Sequence, residues 1–138
     1  MADWWQWSPK KEEESLTFAV VGVGRFGTAV CRELISNGVD VLAADYSEKA
    51  IDDLRQLEPS IEARVIDCTD EESMKESGIL EMNTVVVGIS EPIEASITTT
   101  LIAKDSEGTK VKKVIARATS DLHEKMSVSY THLRAHET

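Results

Sequence analysis

Gly22, Gly24 and Gly27 are the residues of this chain whose types and spacing most clearly point to chemistry. They fall in Leu16-Thr-Phe-Ala-Val-Val-Gly-Val-Gly-Arg-Phe-Gly27, directly behind an apolar run. A helical pattern follows them, and a second apolar run then closes on Asp45. A strand, a tight turn, a helix and a second strand ending on an acid form the setting in which Gly-x-Gly-x-x-Gly holds a phosphate. Gly22 permits the turn out of the strand, Gly24 lets backbone approach a pyrophosphate, and Gly27 lets the helix sit close on the sheet. The free N–H groups and the dipole at the helix start favour an anion. The spacing therefore predicts a bound adenine nucleotide. A tight βα turn that binds nothing is the plainer alternative.

Other chemistries find little support. Cys31 and Cys68 are the two cysteines and form no C-x-x-C, so neither a disulfide framework nor a zinc site is indicated. His132 and His136 stand four apart, a spacing that on a helix offers two metal ligands, but no Glu follows His132 and no third ligand is evident. No metal site and no catalytic residue is assigned. His123 falls in a polar helical segment and reads as surface, while Tyr46 and Lys49 are one residue too close for a Tyr-x-x-x-Lys pair. The net charge of -10 argues against nucleic acid, which needs clustered Lys and Arg.

The elements that must position the glycines alternate along the chain. Short apolar runs at 16–22, 39–44, 62–66, 83–89 and 111–117 read as strands. Helical spacing occupies 25–37, 47–57, 70–77 and 92–105. In the first helix Phe26, Val30 and Leu34 recur every four residues and face the sheet, and Gly38 closes it. Thr69 reads as an N-cap ahead of an acidic first turn, Asp70-Glu-Glu72. The apolar positions Ile97, Leu101 and Ile102 read as core, with a dimer face as the alternative. Strict βαβα alternation predicts an α/β fold, a Rossmann-like doubly wound parallel sheet with helices on both faces.

The organisation expected is one domain over 16–126 between two appendages. Residues 1–15 carry all three Trp, at positions 4, 5 and 7, ahead of Ser8-Pro9 and a charged run. They read as a flexible extension, or as an aromatic anchor for a partner or a membrane interface. After Met126 the βα rhythm stops. Residues 127–138 resemble a translated sequencing-adapter tail, so they are expected to be non-native and the domain C-terminally truncated. No signal peptide or bilayer-length apolar run is visible, and a cytoplasmic location is expected.

The glycine stretch, together with Val41-Leu-Ala-Ala-Asp45, Val65-Ile-Asp-Cys-Thr-Asp-Glu-Glu72, Ser77-Gly-Ile79 and Val114-Ile-Ala-Arg-Ala118, resembles the RCK or KTN (TrkA-N) domain. That domain belongs to TrkA/KtrA-type potassium transport regulators. The resemblance covers about residues 16–126. It implies that Gly22, Val23, Gly24, Arg25, Phe26 and Gly27 surround the phosphates, with Arg25 adding charge there or facing solvent. It implies that Asp45 accepts ribose hydroxyls and repels a 2′-phosphate, disfavouring NADP. Tyr46 then follows at the adenine edge, Asp67, Cys68 and Thr69 line the base side, and Ile89 and Ser90 close the fourth strand near the cleft. Arg117 approaches phosphate or a neighbouring subunit, or else forms a structural ion pair.

Two departures narrow the carry-over. Cys68 stands where the family usually has Ala, and Ile66 where Gly is common, so the nucleotide is left as NAD(H) or ATP, ADP or AMP. The family's second regulatory domain is expected to be missing from this chain. The function implied is a non-enzymatic regulatory subunit, peripheral to the inner membrane face, forming a dimer or a ring of dimers that controls a membrane potassium channel or transporter. The alternative is a fragment of an NAD-dependent oxidoreductase.

Overall fold

In a computed structural model, residues 16–117 are described. The Trp-rich segment, Met126, His123, His132, His136 and the 127–138 tail lie outside the described residues. Five strands, β1 (Phe18–Val21), β2 (Val41–Asp45), β3 (Glu62–Val65), β4 (Thr84–Val87) and β5 (Lys113–Ala116), alternate with four helices. These are α1 (Arg25–Ser36), α2 (Glu48–Leu57), α3 (Glu71–Ser77) and α4 (Ile93–Asp105), with one 3-10 turn at Ile79–Glu81. The strands form a parallel sheet in the order β3-β2-β1-β4-β5. This is the Rossmann-like doubly wound sheet expected. The chain winds outward from β1 through β2 to β3, then crosses back to place β4 on the other side of β1. That reversal opens a crevice at the carboxyl ends of β1 and β4.

Apolar side chains fill both faces, as a parallel sheet covered twice requires. On one face Val20, Ala43, Ala63 and Val86 pack with Cys31 of α1 and Ile51 and Leu54 of α2. On the other Ala19, Val21, Leu42, Ala44, Val85, Val87 and Val114 pack with Met74 of α3 and Ala103 of α4. In α1 the deepest residues are Gly27 and Cys31, with Phe26, Val30 and Leu34 half-buried beside them. Asn37 caps its C-terminus, and Gly38, at φ +79°, turns the chain away. β3 is an edge strand in which only Ala63 is buried. Its exposed Glu62 and Arg64 pair at 3.3 Å, which guards an open edge better than the apolar run expected there.

Two local expectations are corrected. The cap of α3 is Asp70, whose carboxylate accepts the Ser73 N–H at 3.0 Å, and not Thr69. The Thr69 hydroxyl is taken by Asp67 at 2.6 Å. Helix α4 turns a different side inward than its apolar residues suggest. Ser96, Thr99, Thr100 and Ala103 are buried, whereas Leu101 is 41% exposed, Ile97 is half-buried, and Ile102, also half-buried, packs against the core as expected. Hydroxyls can go inward because carbonyls receive them: Thr100 Oγ1 donates to Ser96 O at 2.8 Å and Thr99 Oγ1 to Cys68 O at 3.0 Å. Among the described residues no helix is long and apolar enough to cross a membrane.

The cap assignment is tested by urea unfolding. Asp70→Ala is expected to cost about 1 kcal/mol. Thr69→Ala, which leaves the cap in place, is expected to cost less than half of that.

Candidate functional site

β1 ends at Val21 and the chain turns at Gly22, whose φ of +92° lies in the region that glycine enters without strain. Its N–H donates to Ala44 O at 2.8 Å, fixing the turn to β2. Two other glycines close over its carbonyl. A Cβ on Gly27 would run into Gly22 O, and a Cβ on Gly88 would stand 2.7 Å from it. Gly24 differs, since a Cβ there meets no atom of the described residues within 4 Å. Packing therefore demands glycine at 22, 27 and 88. At 24 the only thing glycine leaves free is space in front of the turn.

Asp45 holds the turn from the side. Its Oδ2 accepts the Val23 N–H at 2.8 Å and its Oδ1 the Ser47 N–H at 2.8 Å. Each oxygen keeps a further lone pair for another donor. Thr28 Oγ1 donates to Val23 O at 2.9 Å on the opposite side. α2 starts on a capping side chain, Ser47, whose hydroxyl accepts the Ala50 N–H at 3.1 Å. α1 starts at Gly24 and α4 at Pro92, both with no side-chain cap.

These pieces meet in a cleft of about 200 Å³ lined by Gly22, Gly24, Asp45, Tyr46, Asp67, Cys68, Thr69, Gly88, Ile89, Ser90, Glu91 and Ala95. Nine of these twelve are the residues predicted from sequence. The other predicted residues sit around the cleft. Val23 is buried behind the turn, Gly27 lies beneath it, Phe26 is half-buried and Arg25 is exposed at the start of α1. Arg117 follows β5 with its guanidinium 5.2 Å from the centre of the Phe26 ring, a cation–π contact. Gly88, Glu91 and Ala95 were missed. A glycine directly after the buried Val85-Val-Val87 run is the one signal that could have flagged the first.

Charge in the cleft is acidic and its thiol is inert. Asp67 accepts both the hydroxyl and the N–H of Thr69, at 2.6 and 3.0 Å, which hold its carboxyl below the usual value. Burial, reinforced by Asp45 and Asp67, pushes the Cys68 thiol up to about 12. Burial and then Glu58 do the same for Cys31, also to about 12. Neither thiol is a nucleophile at neutral pH. Among the described residues no group of three or more His, Cys, Asp or Glu is arranged to hold a metal. A larger groove of about 740 Å³ opens at the opposite end of the strands, between Phe18, Ile35, Val39, Ile61 and Met82. It holds none of the predicted site residues and lies away from the switch point.

The sheet order and this cleft define a dinucleotide-fold domain with its crevice at the reversal of strand order. The chain belongs to the TrkA-N domain family, whose pattern matches residues 18–131. Ktr system potassium uptake protein C of Bacillus subtilis is 38% identical over 109 residues, 79% of this chain and 47% of that protein. Ktr system potassium uptake protein A of Vibrio alginolyticus is 40% identical over 89 residues, 64% of this chain and 40% of that protein. The chain thus spans about half the length, or less, of these relatives. The TrkA-N domain of an inner membrane protein of Escherichia coli superposes with a TM-score of 0.68 at 22% identity, covering 86% of this chain and 81% of that one, and shares the fold.

Two predictions follow from this geometry. Gly27→Ala, which forces a Cβ into a backbone oxygen, is expected to cost at least about 2 kcal/mol in urea unfolding, whereas Gly24→Ala stays within about 1 kcal/mol of wild type. The thiols give a pH dependence. Their folded values of about 12 lie above the ordinary 9.0, so their contribution is complete below pH 9 and is lost as pH rises from there to 12. Unfolding measured through that window should show a steeper fall for wild type than for a Cys31→Ala/Cys68→Ala variant.

Proposed function

We propose that this domain binds an adenine nucleotide in the cleft at the ends of β1 and β4, and that it is the nucleotide-sensing part of a potassium uptake regulator. The observation that carries the nucleotide reading is Gly24: of the glycines in the turn, it alone leaves open space in front of an uncapped helix start. Phosphates placed there face the first N–H groups of α1, with Arg25 at the rim. The ribose hydroxyls reach the Asp45 carboxylate, and the base lies between Tyr46 and the Asp67–Thr69 wall. The Asp45 side chain beside the turn repels a 2′-phosphate, so NADPH is disfavoured against NAD(H), ATP, ADP and AMP.

The potassium reading rests on the Ktr system relatives, which are potassium uptake proteins of two bacteria. The domain itself performs no turnover in this reading. The cleft presents carboxylates and an un-ionised thiol, and the described residues include no histidine. It works instead as a regulatory subunit on the cytoplasmic side of the membrane, in contact with a channel or transporter subunit. Its copies assemble as a dimer or a ring of dimers, with the outward row Ile97 and Leu101 of α4 as an apolar face for that assembly. A nucleotide shifts such an assembly only by binding its two arrangements with different affinity, and the number of phosphates on the turn supplies that difference.

Thermal shift of the full chain against ATP, ADP, AMP, NAD, NADH and NADPH tests the nucleotide claim. A ligand at 100 times its dissociation constant adds about 2.7 kcal/mol of stability. A shift with adenine nucleotides that is absent with NADPH, and absent from Gly24→Ala with all of them, is expected. Turnover of a nicotinamide cofactor with any small alcohol or aldehyde would instead favour the oxidoreductase fragment.

A further inference from the structure

The wall of the cleft opposite Tyr46 is a short loop, Asp67-Cys68-Thr69, between β3 and α3. Its bonds are nearly all internal. Asp67 accepts the N–H and hydroxyl of Thr69, and Asp67 O accepts the Asp70 N–H at 3.1 Å. Among the described residues one bond from the loop reaches another element: Thr99 Oγ1 of α4 donates to the Cys68 carbonyl at 3.0 Å, across 31 residues of sequence. Thr99 is fully buried, and Ala95, one turn earlier on α4, lines the same cleft. The hydroxyl therefore joins the wall to the helix that forms part of the cleft floor and carries Leu101 on its outer side.

We infer that Thr99 is a positioning residue for the base end of the cleft: its hydroxyl holds the Cys68 carbonyl, and so fixes the Asp67–Thr69 wall against α4. The inference rests on the nucleotide reading above for what the wall contacts, but the tether itself exists without ligand. Valine at 99 keeps the shape and removes the donor, leaving a buried carbonyl without its partner. Such a loss frees the loop locally while the sheet stays intact. The phosphate end is held by other residues, Gly22, Gly27 and Asp45, and does not depend on this bond.

The test uses the full chain, with Thr99→Val and Thr99→Ser, and two readouts. The first, without nucleotide, is the rate at which an aromatic disulfide reagent labels Cys68, with Cys31 in the same molecule as the control for global opening. Thr99→Val is expected to speed Cys68 labelling about tenfold and leave Cys31 unchanged, and Thr99→Ser to stay within about twofold of wild type. Equal Cys68 rates in wild type and Thr99→Val, a parallel rise at both thiols, or a serine variant as fast as the valine one would overturn the tether. The second readout is affinity for ATP and AMP. Thr99→Val is expected to weaken both by the same factor, about tenfold, with the ATP-to-AMP ratio preserved. Unchanged affinity with a loosened Cys68 would overturn the positioning role. No binding of either nucleotide by wild type would remove the nucleotide reading and the base-end role with it, and the labelling result would still decide whether Thr99 holds the wall.

Discussion

One backbone oxygen organises the ligand end of this domain. The carbonyl of Gly22 is approached by Gly27 from α1 and by Gly88 from the end of β4, both closer than any side chain would allow. That three-way contact draws the start of α1 and the carboxyl ends of β1 and β4 together at the point where the strand order reverses. Because the contact is made of backbone, it has no softer rearrangement available. Asp45 then fixes the height of the turn by taking the Val23 and Ser47 N–H groups on its two oxygens. The cleft is what remains in front of these fixed parts.

This arrangement separates two jobs that a glycine motif can do. Gly22, Gly27 and Gly88 are structural, and the fold constrains them whatever occupies the cleft. At Gly24 a Cβ would meet nothing among the described residues. An uncapped helix start behind an unobstructed glycine is a donor surface, because its first N–H groups have no intrahelical acceptor. Elsewhere along the same edge Ser47 and Asp70 satisfy such groups with side chains, while the start of α4 at Pro92 is likewise uncapped but has no open glycine in front of it. The contrast within one molecule gives the phosphate reading a physical basis independent of the motif.

Much of this was legible in the sequence, for identifiable reasons. β-branched runs and their spacing located every strand, and the glycine turn with Asp45 located the cleft, because both are local patterns with steric causes. What escaped depended on tertiary context. Gly88 is a single residue whose role exists only beside Gly22. The α3 cap moved from Thr69 to Asp70 because Asp67 competes for the Thr69 hydroxyl. Helix α4 was read in part: Ile102 packs on the core as expected, but apolar spacing assumes that hydroxyls stay outside. Here Thr99 and Thr100 are buried at no loss of hydrogen bonds, and Leu101 is left facing out. Arg117 lies over Phe26, a contact that no local pattern in the sequence signals.

The claim at the centre of this account is that an adenine nucleotide lies along the carboxyl edge of the sheet, phosphates on the glycine turn and base against the Asp67–Thr69 wall. Backbone amide shifts of the labelled full chain, followed by NMR during titration with ATP, test it most directly. The account predicts saturable shifts at Gly22–Gly27 and at Asp67–Thr69, with the groove around Val39 and Ile61 unmoved. Shifts confined to that groove, or none at the glycine turn at millimolar ATP, would contradict it.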